Sequence, residues 1–475
     1  MIYSITPFKP NKFVFLYLAA IFYCFMHSSS AYSLDIPLPV KIYDLNEGVT
    51  RISGNSQLNL PESISIKYGA FINEIRQSIS KLPINTKPTT INVMLINNKS
   101  SLPDRVRKAL EGQREGFWMK TDHNNVQILV TDEYGALHAL SILEETINRS
   151  EGVILDSEII DWPALKFRGF LITPGPGVTA SDIKAAISTA RKARMNAVFL
   201  YINKRIAFET LKGVTPSDAI SISEIKEIIT YSNESGLEVI PVVNLLTRQS
   251  HGGLMLHAQR LGIPHTMYNK DTYNPNDPQN YQFVFSFLEE IIDVFQPNKL
   301  HIGHSEVSGC YPKQAKKMEH SNQAILPADL FLKDVLTIYR HLKNKGIETW
   351  MWGDMLVSHS EHPNMRIIGL NGNIPDYGKP LRQEIPKDIV IADWHYKDKQ
   401  VEFPSSKSFA SEGFQVVGTT WNKASTISNF TKYMSNNVGA NGRGMIAGIW
   451  GFWKMSPEAR NAAIYTSGNT YWAGE

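Results

Sequence analysis

A glutamate that follows a short apolar segment is the residue of this chain best suited to acid or base chemistry. Residues Leu300–Ile302 form an apolar run typical of a buried strand, and the segment Gly303–Val307, which contains Glu306, comes directly after it. Upstream, Asn280–Phe295 carries an apolar face at helical spacing. In a sheet of parallel strands joined by helices, the loops after the strands carry the reactive groups, so Glu306 is a candidate acid or base. The structural alternative is a loop glutamate paired with a nearby lysine or arginine.

Strand and helix patterns alternate from Asp161 to the C-terminus, which indicates repeated β/α units. The eight predicted strands are Phe167–Ile172, Ala197–Ile202, Glu238–Val243, Lys299–Gly303, Thr349–Trp352, Ile389–Trp394, Phe414–Thr419 and Met445–Trp450. The helix candidates between them include Ser181–Ala193, Ile222–Ser232, Ala328–Leu342 and Lys423–Met434. Eight such units predict a (β/α)8 TIM barrel over residues 161–475. The segment Met365–Leu370 also has a strand pattern, which leaves the sixth strand open.

The residues before the barrel predict a small α+β accessory domain that covers residues 34–160. Thr90–Leu95 and Val126–Val130 alternate or run apolar like strands. Ile66–Leu82 and Glu133–Ile147 carry helical periodicity. Because none of these segments bears a chemical motif, we expect this domain to support the barrel.

Residues 1–33 predict a signal peptide. Lys9 and Lys12 precede the apolar segment Phe13–Met26, and the small residues around Ala31 suit cleavage. An uncleaved membrane anchor is the alternative. After cleavage Cys310 is the one cysteine left in the sequence, so no internal disulfide can form. We therefore expect an exported bacterial protein, periplasmic or secreted, with no stable membrane association.

Charge and histidine spacing argue against two kinds of partner. The net charge is +3 over 475 residues, and no run of five basic residues occurs, so we expect no nucleic-acid partner. His251, His257 and His265 fit no compact metal-ligand pattern, so we expect no metal, and nothing implies a cofactor. The oligomeric state is not indicated.

Four tryptophans favour a carbohydrate site. Trp352, Trp394, Trp421 and Trp450 each fall at or just past the end of a predicted strand. Sugar pockets combine flat aromatic walls with hydrogen-bonding groups, because a pyranose has an apolar face and a polar rim. A single tryptophan there would be core, but barrel interiors favour branched aliphatic side chains, and four in succession suggest a ligand wall.

Two stretches of the chain resemble glycoside hydrolase family 20, the β-N-acetylhexosaminidases. They are Tyr273–Pro278, with the helix after it, and His301–Val307, which is similar to the family signature His-Ile-Gly-Gly-Asp-Glu-Val and its variant with a fourth-position histidine. The resemblance implies that Glu306 is the general acid and that the acetamido oxygen of the substrate is the nucleophile. The aspartate that orients this acetamido group is Ser305 here.

The same resemblance implies several substrate-binding residues. Arg168, in Phe-Arg-Gly after Asp-Trp-Pro, would hold sugar hydroxyls, with a structural salt bridge as the alternative. Trp352 and Trp450 match the family's pocket tryptophans best. Tyr396 would hydrogen-bond the acetamido oxygen and Asp393 a sugar hydroxyl. Asp354, a further carboxylate at the rim, would bind substrate or cap a helix.

The third strand departs from the family pattern. The family's Ile-Pro-Glu-x-(Asp/Asn)-x-x-Gly-His keeps its Asn244 here, but Val242 replaces the glutamate and Thr247-Arg248 replaces Gly-His. His251 is a possible substitute for the lost histidine. Serine at 305 offers the reacting acetamide only a neutral hydrogen bond, and a cation at 248 close to Glu306 would favour the ionised carboxylate.

These residues leave three hypotheses. The first is a glycosidase that removes terminal β-linked N-acetylhexosamine from glycans by substrate-assisted retaining catalysis, with Asp354 or Asp393 replacing the missing carboxylate. The second is a hydrolase for an anionic amino sugar. The third is a glycan-binding barrel that does not hydrolyse, or whose catalysis is impaired by Ser305 and Arg248.

Overall fold

A computed structural model of the protein describes residues 40–96, 102–249, 252–307, 326–358, 360–365, 377–397 and 400–475. The predicted signal peptide, His251, Cys310 and residues 366–370 of the alternative sixth strand lie outside these ranges. Within them, no helix combines the length and the apolar composition that crossing a membrane requires.

The N-terminal part is a six-stranded mixed sheet with helices on both faces. In spatial order its strands are Ile42–Arg51, Val153–Asp161, Phe117–Asp122, Asn125–Val130, Thr90–Leu95 and Gln57–Asn59. Its helices are Glu62–Lys67, Gly69–Ser80, Asp104–Leu110 and Glu133–Ser150. The helix expected over Ile66–Leu82 is in fact two helices, because the backbone leaves helical geometry at Tyr68 (φ −117°, ψ 43°).

Eight parallel strands close a barrel, which confirms the predicted (β/α)8 fold. In order they are Phe167–Ile172, Ala197–Tyr201, Glu238–Leu245, Lys299–Gly303, Glu348–Trp352, Val390–Trp394, Val416–Thr420 and Gly442–Ile449. Phe170 of the first strand pairs with Ala447 of the eighth and completes the ring. Val390–Trp394 pairs with the fifth and seventh strands, so it is the sixth strand.

Helices surround the barrel on the outside. They are Ala180–Lys192, Ile222–Glu234, Leu254–Leu261, Pro278–Phe295, Ala328–Asn344, Gly378–Glu384, Pro404–Ser411, Ala424–Asn437 and Pro457–Ala473. The helix that leads to the Glu306 strand starts sharply, because the Asp277 side chain accepts the Gln279 N–H at 2.9 Å and Pro278 occupies the first turn. A small hairpin, Met267–Asn269 with Thr272–Tyr273, interrupts the loop after the third strand and was not predicted.

Side-chain alternation decides which strand residues face the barrel interior. The interior cluster contains Val390, Ala392 and Trp394 of the sixth strand, whereas Ile391 packs outward with the helices. The upper end of the same cluster is formed by Trp352 and Trp394, so the barrel core continues directly into the floor of the loop face.

Arg168 was predicted to hold sugar hydroxyls, and this prediction is wrong. It lies at the start of the first strand, at the end opposite the loops that follow the strands. Alternation also turns it outward, since Leu171 faces the interior and Phe170 faces the helices. The fully buried guanidinium pairs with Glu115, in the loop before the strand Phe117–Asp122 of the N-terminal part, and donates to the Leu165 and Arg194 carbonyl oxygens, both at 2.7 Å. Arg168 therefore joins the two parts of the fold.

Candidate active site

A cavity of about 790 Å³ opens at the C-terminal ends of the barrel strands. All eight strands contribute to its lining through their last residues or the loops that follow them. The predicted site residues among the lining are Asn244, Arg248, Ser305, Glu306, Trp352, Trp394, Tyr396, Trp421 and Trp450. The volume falls in the range of small-molecule sites and exceeds what one sugar ring needs, so part of a leaving group also fits.

Glu306 projects into this cavity from the end of the fourth strand. Its side chain is 35% exposed and forms an ion pair with Arg248, whose side chain is 40% exposed. Its backbone N–H donates to Asp354 Oδ2 at 2.8 Å. The next N–H, of Val307, lies 3.4 Å from Met355 Sδ. The backbone at Glu306 and Val307 is therefore anchored by Asp354 and Met355, and the Glu306 carboxylate remains accessible from the cavity.

The backbone around Glu306 adopts left-handed conformations that side chains rarely occupy. Residues with φ between 53° and 66° are Leu246, Arg248, His304 and Glu306. Such conformations cost free energy and persist where the surroundings enforce them, which is common at active sites. Here the Thr247 hydroxyl donates to the Ser305 carbonyl oxygen at 2.5 Å and joins the two strained loops.

A buried polar cluster fixes His304, one of these four residues with a left-handed backbone. Its Nε2 lies 2.8 Å from Asp334 Oδ2, and its Nδ1 lies 3.1 Å from the Ile302 carbonyl oxygen. The hydroxyls of Tyr273 and Tyr281 donate to the same carboxylate at 3.1 and 2.7 Å. Asp334 was not predicted, because it lies on the helix after the fourth strand and no local motif marks it.

One wall of the cavity is aromatic. The Tyr396 ring stacks on Trp394 with centroids 4.7 Å apart and planes at 23°, and it meets Trp421 and Trp450 edge-on at 6.0 and 6.4 Å. The ring centroids of Trp352 and Trp450 lie 6.2 Å apart. Burial raises the pKa of Tyr396 well above its ordinary value, so its hydroxyl stays protonated and can donate a hydrogen bond. Flat rings and one partly buried hydroxyl donor suit an N-acetylated sugar.

The opposite wall carries positive charge. Arg248, Lys204 and Arg205 come from the loops after the second and third strands, and Arg205 is held by Asp218 at 2.6 and 2.7 Å. Lys397, on the aromatic side, lies over the Trp421 ring at 5.6 Å. Lys204 and Lys397 were not predicted, because a lone lysine in a loop resembles any solvated residue.

A family model described as glycosyl hydrolase family 20, catalytic domain, matches residues 207–451. This chain belongs to glycosyl hydrolase family 20. The resemblance of the His301–Val307 segment is thereby confirmed. The chain is 23% identical over 348 residues to β-hexosaminidase subunit A2 of Dictyostelium discoideum, covering 67% of this chain and 63% of that protein. It is 24% identical over 387 residues to β-hexosaminidase A of Caenorhabditis briggsae, covering 72% and 67%.

Solved structures share the fold at low identity. The family 20 β-N-acetylhexosaminidase of Streptomyces coelicolor A3(2) has a TM-score of 0.66 at 13% identity, covering 92% of this chain and 91% of that one. The β-N-acetylhexosaminidase of Bacteroides fragilis has a TM-score of 0.64 at 18% identity, covering 92% and 90%. At these identities the likeness establishes the fold.

Two predicted substrate-binding carboxylates of this family 20 chain do not line the cavity. Asp393 faces outward, because its neighbour Trp394 faces inward, and it accepts hydrogen bonds of 2.6 Å from Ser405 and Ser406. Burial raises the pKa of Asp393, but His395 and the two hydroxyls outweigh it, and the pKa is lowered. The prediction that Asp393 binds a sugar hydroxyl is therefore wrong.

Asp354 lies beneath the cavity rather than at its rim. It is fully buried, accepts the Glu306 N–H, and lies 3.2 Å from Trp394 Nε1. It begins a short 3-10 helix whose N-cap is Gly353, so the N-cap alternative is also wrong. Asp354 therefore connects the Glu306 backbone to the Trp394 side chain.

Ser305 has no carboxylate substitute in the described lining of the cavity. Its side chain lies at the cavity surface, and Glu306 is the one carboxylate among the lining residues of the described ranges. The hypothesis that Asp354 or Asp393 replaces the family's aspartate is therefore wrong, since neither reaches the lining.

Proposed function

We propose that this protein is a β-N-acetylhexosaminidase that removes a terminal β-linked N-acetylhexosamine from a glycan by substrate-assisted, retaining cleavage. The observation that carries the proposal is the position of Glu306, an accessible carboxylate at a strand end that faces an aromatic wall. Membership of family 20 and the β-hexosaminidase relatives support the same activity.

The reaction begins with Glu306 in its protonated form. Glu306 donates its proton to the glycosidic oxygen while the acetamido carbonyl oxygen of the substrate attacks the anomeric carbon, and the bond to the leaving group breaks. The resulting oxazolinium is positively charged. The Glu306 carboxylate then takes a proton from water, whose oxygen attacks the anomeric carbon and restores the acetamide. The product keeps the β configuration, and Glu306 regains its proton.

The remaining residues bind and orient the sugar. Trp352, Trp394 and Trp450 pack against its apolar face, and Trp421 closes the wall. The Tyr396 hydroxyl donates a hydrogen bond to the acetamido oxygen. Asn244 lines the cavity beside Arg248 and offers both a donor and an acceptor to the ring hydroxyls.

A second candidate is a barrel that binds glycans without cleaving them. Ser305 in place of the carboxylate favours it, because a neutral hydroxyl stabilises the oxazolinium less than a charge does. The Arg248–Glu306 ion pair favours it as well, since the acid must carry a proton to act.

We also propose that the protein is exported through its N-terminal segment and acts in the periplasm or outside a bacterial cell. The charged, apolar and small-residue regions of residues 1–33 support export. We expect the mass of the protein recovered from the exported fraction to lack this segment, and full-length protein in the cytoplasm would contradict export.

The test is hydrolysis of two β-N-acetylglucosaminides, one with a p-nitrophenyl and one with a sugar leaving group, by wild type and Glu306→Gln. We expect wild type to cleave both with retention, and Glu306→Gln to lose far more activity on the sugar, since a poor leaving group needs the proton. Glu384→Gln, at an exposed helix end, is the matched control and should behave like wild type. Binding of both glycosides without cleavage by wild type would favour the second candidate.

A further inference from the structure

The cavity is divided by charge along the order of the barrel strands. Trp352, Trp394, Trp421 and Trp450 follow the fifth to eighth strands, and Lys204, Arg205 and Arg248 follow the second and third. Glu306, on the fourth strand, lies between these two groups. The described lining therefore holds four basic side chains, counting Lys397, against one carboxylate.

The basic side chains differ in how far their charge is already satisfied. Arg205 is held in a two-pronged pair by Asp218. Arg248 is paired with Glu306 on the half-exposed surface of the cavity. Lys204 forms no ion pair of 4.0 Å or less with any acid in the described ranges. Lys204 is therefore available to a ligand, and Arg248 becomes available when a ligand displaces Glu306.

A buried histidine adds a third group to the same wall. His257 lines the cavity with only 3% of its surface exposed, and neither ring nitrogen makes a well-formed hydrogen bond within the described residues, although the Gly252 backbone is close. Burial, together with Lys204 and Arg260, lowers the pKa of His257 to about 4. At neutral pH the uncharged ring keeps one N–H that can donate to a ligand.

A neutral glycan offers no charge to Lys204, and it leaves the buried His257 ring without a strong acceptor, although buried polar atoms cost free energy unless they are paired. The terminal sugar occupies the aromatic wall and its glycosidic oxygen meets Glu306, so the next residue of the glycan extends toward the second and third strands. We propose that this leaving-group residue is anionic and that its carboxylate, phosphate or sulfate binds Arg248, Lys204 and His257. The inference rests on the proposed function and names its substrate class.

Anion binding also explains why Arg248 is paired with the catalytic acid. A charged substituent competes with Glu306 for the guanidinium, and charge-assisted hydrogen bonds to an anion are strong enough to displace a half-exposed pair. Once Arg248 binds the substituent, Glu306 no longer faces an unshared cation and can carry its proton. A neutral leaving group leaves the ion pair in place.

The experiment compares two matched disaccharides, N-acetylglucosamine β-linked to glucuronic acid and the same sugar with the same linkage to glucose. At low salt we expect kcat/KM to be about tenfold or more higher for the glucuronate, the value of one charge-assisted contact. Salt should reduce the ratio by screening. Lys204→Met should also reduce it, whereas Lys226→Met, on the exposed face of an outer helix, should not. Thermal unfolding of both variants shows whether they fold.

Two results would overturn the inference. One is equal kcat/KM for both disaccharides at low salt. The other is a preference that appears only when the anion is placed on the terminal sugar, as in 6-sulfated p-nitrophenyl N-acetylglucosaminide against its unsulfated form.

If wild type cleaves neither disaccharide, the proposed function fails and binding decides the inference. Calorimetry with Glu306→Gln, in which Arg248 has lost its carboxylate partner, should give at least about tenfold tighter binding of the glucuronate. Equal affinities would overturn the inference for the binding barrel as well.

Discussion

The barrel has an arginine–glutamate pair at each end, and the two pairs differ in almost every physical respect. Arg168 and Glu115 are 0% and 13% exposed, and the guanidinium also donates to three backbone carbonyl oxygens. Arg248 and Glu306 are 40% and 35% exposed, and Arg248 adopts a left-handed backbone conformation. The first pair joins two parts of the fold, and the second lies in the cavity.

The difference shows which ion pair a substrate can open. Removing one partner of a buried pair leaves an uncompensated charge and costs about 3–5 kcal/mol, so the Arg168 pair is fixed. A half-exposed pair contributes about 1 kcal/mol or less, so an incoming ligand can replace it. Exposure and the number of donors already used therefore separate the structural arginine from the one available for function.

Arg168→Met tests whether the buried arginine–glutamate pair stabilises the fold and plays no part in substrate binding. We expect the free energy of unfolding to fall by about 3–5 kcal/mol while KM for the p-nitrophenyl substrate stays unchanged, because Glu115 would be left buried without its cation. Arg114→Met, at the exposed neighbouring loop, should unfold like wild type. Denaturant unfolding and kinetics below the transition measure both. A raised KM with unchanged stability would mean that Arg168 binds sugar after all.

Acid should weaken the contribution of the buried Arg168–Glu115 pair to the stability of the fold. Burial raises the pKa of Glu115, but Arg168 and His138 outweigh it and lower the pKa from 4.5 to about 2. Because the folded pKa lies below the ordinary value, the contribution of Glu115 is complete above pH 4.5 and is lost as the pH falls toward 2. Unfolding measured across this range should show a loss of about 3 kcal/mol in wild type that is absent in Glu115→Gln. Parallel curves for the two proteins would contradict this.

The strand-end predictions had mixed outcomes: Glu306 and the tryptophans line the cavity, whereas Asp354 and Asp393 do not. Glu306, Trp352 and Trp450 line the cavity because parallel strands bring their C-terminal ends to one face. The Arg168 prediction failed because it followed a motif match, although the predicted strand Phe167–Ile172 already placed this residue near the N-terminal end of the strand.

Local sequence already argued against one prediction: Asp393 and Trp394 are adjacent in one strand, so they cannot both face the cavity. Other parts of the site could not be derived from local sequence, because Asp334 meets His304 across 30 positions of sequence and Asp354 meets Glu306 across 48. Such pairings depend on how the strands and helices pack, which no spacing in the chain encodes.

Ser305→Asp tests the cavity end of the barrel, where Glu306 and Arg248 form the exposed pair. A carboxylate beside Glu306 would stabilise the positive oxazolinium, and one aligned electrostatic group is worth about 10²–10³ in rate at full preorganisation. We expect kcat to rise by about tenfold to a hundredfold, since the site was not built around this side chain. Ser411→Asp adds the same charge at an exposed helix end and should leave kcat unchanged. A lower kcat in Ser305→Asp would mean that the serine hydroxyl itself serves the reaction.

Arg248→Met should have the smallest effect on a neutral substrate, and its sign separates the two ends of the barrel. Removing Arg168 damages the protein, whereas removing Arg248 relieves Glu306 of a cation that favours its ionised form. The acid then stays protonated to higher pH, so the alkaline limb of the kcat/KM profile should move upward in pH, with a gain of a few-fold at neutral pH. Arg340→Met, on an outer helix, is the control. On the glucuronate disaccharide the same variant should lose activity, because in wild type Arg248 binds the charge of the substrate.

A variant that loses activity equally on both substrates would show that Arg248 serves every substrate. The two arginines would then differ in burial but not in whether a ligand can displace their glutamate partner.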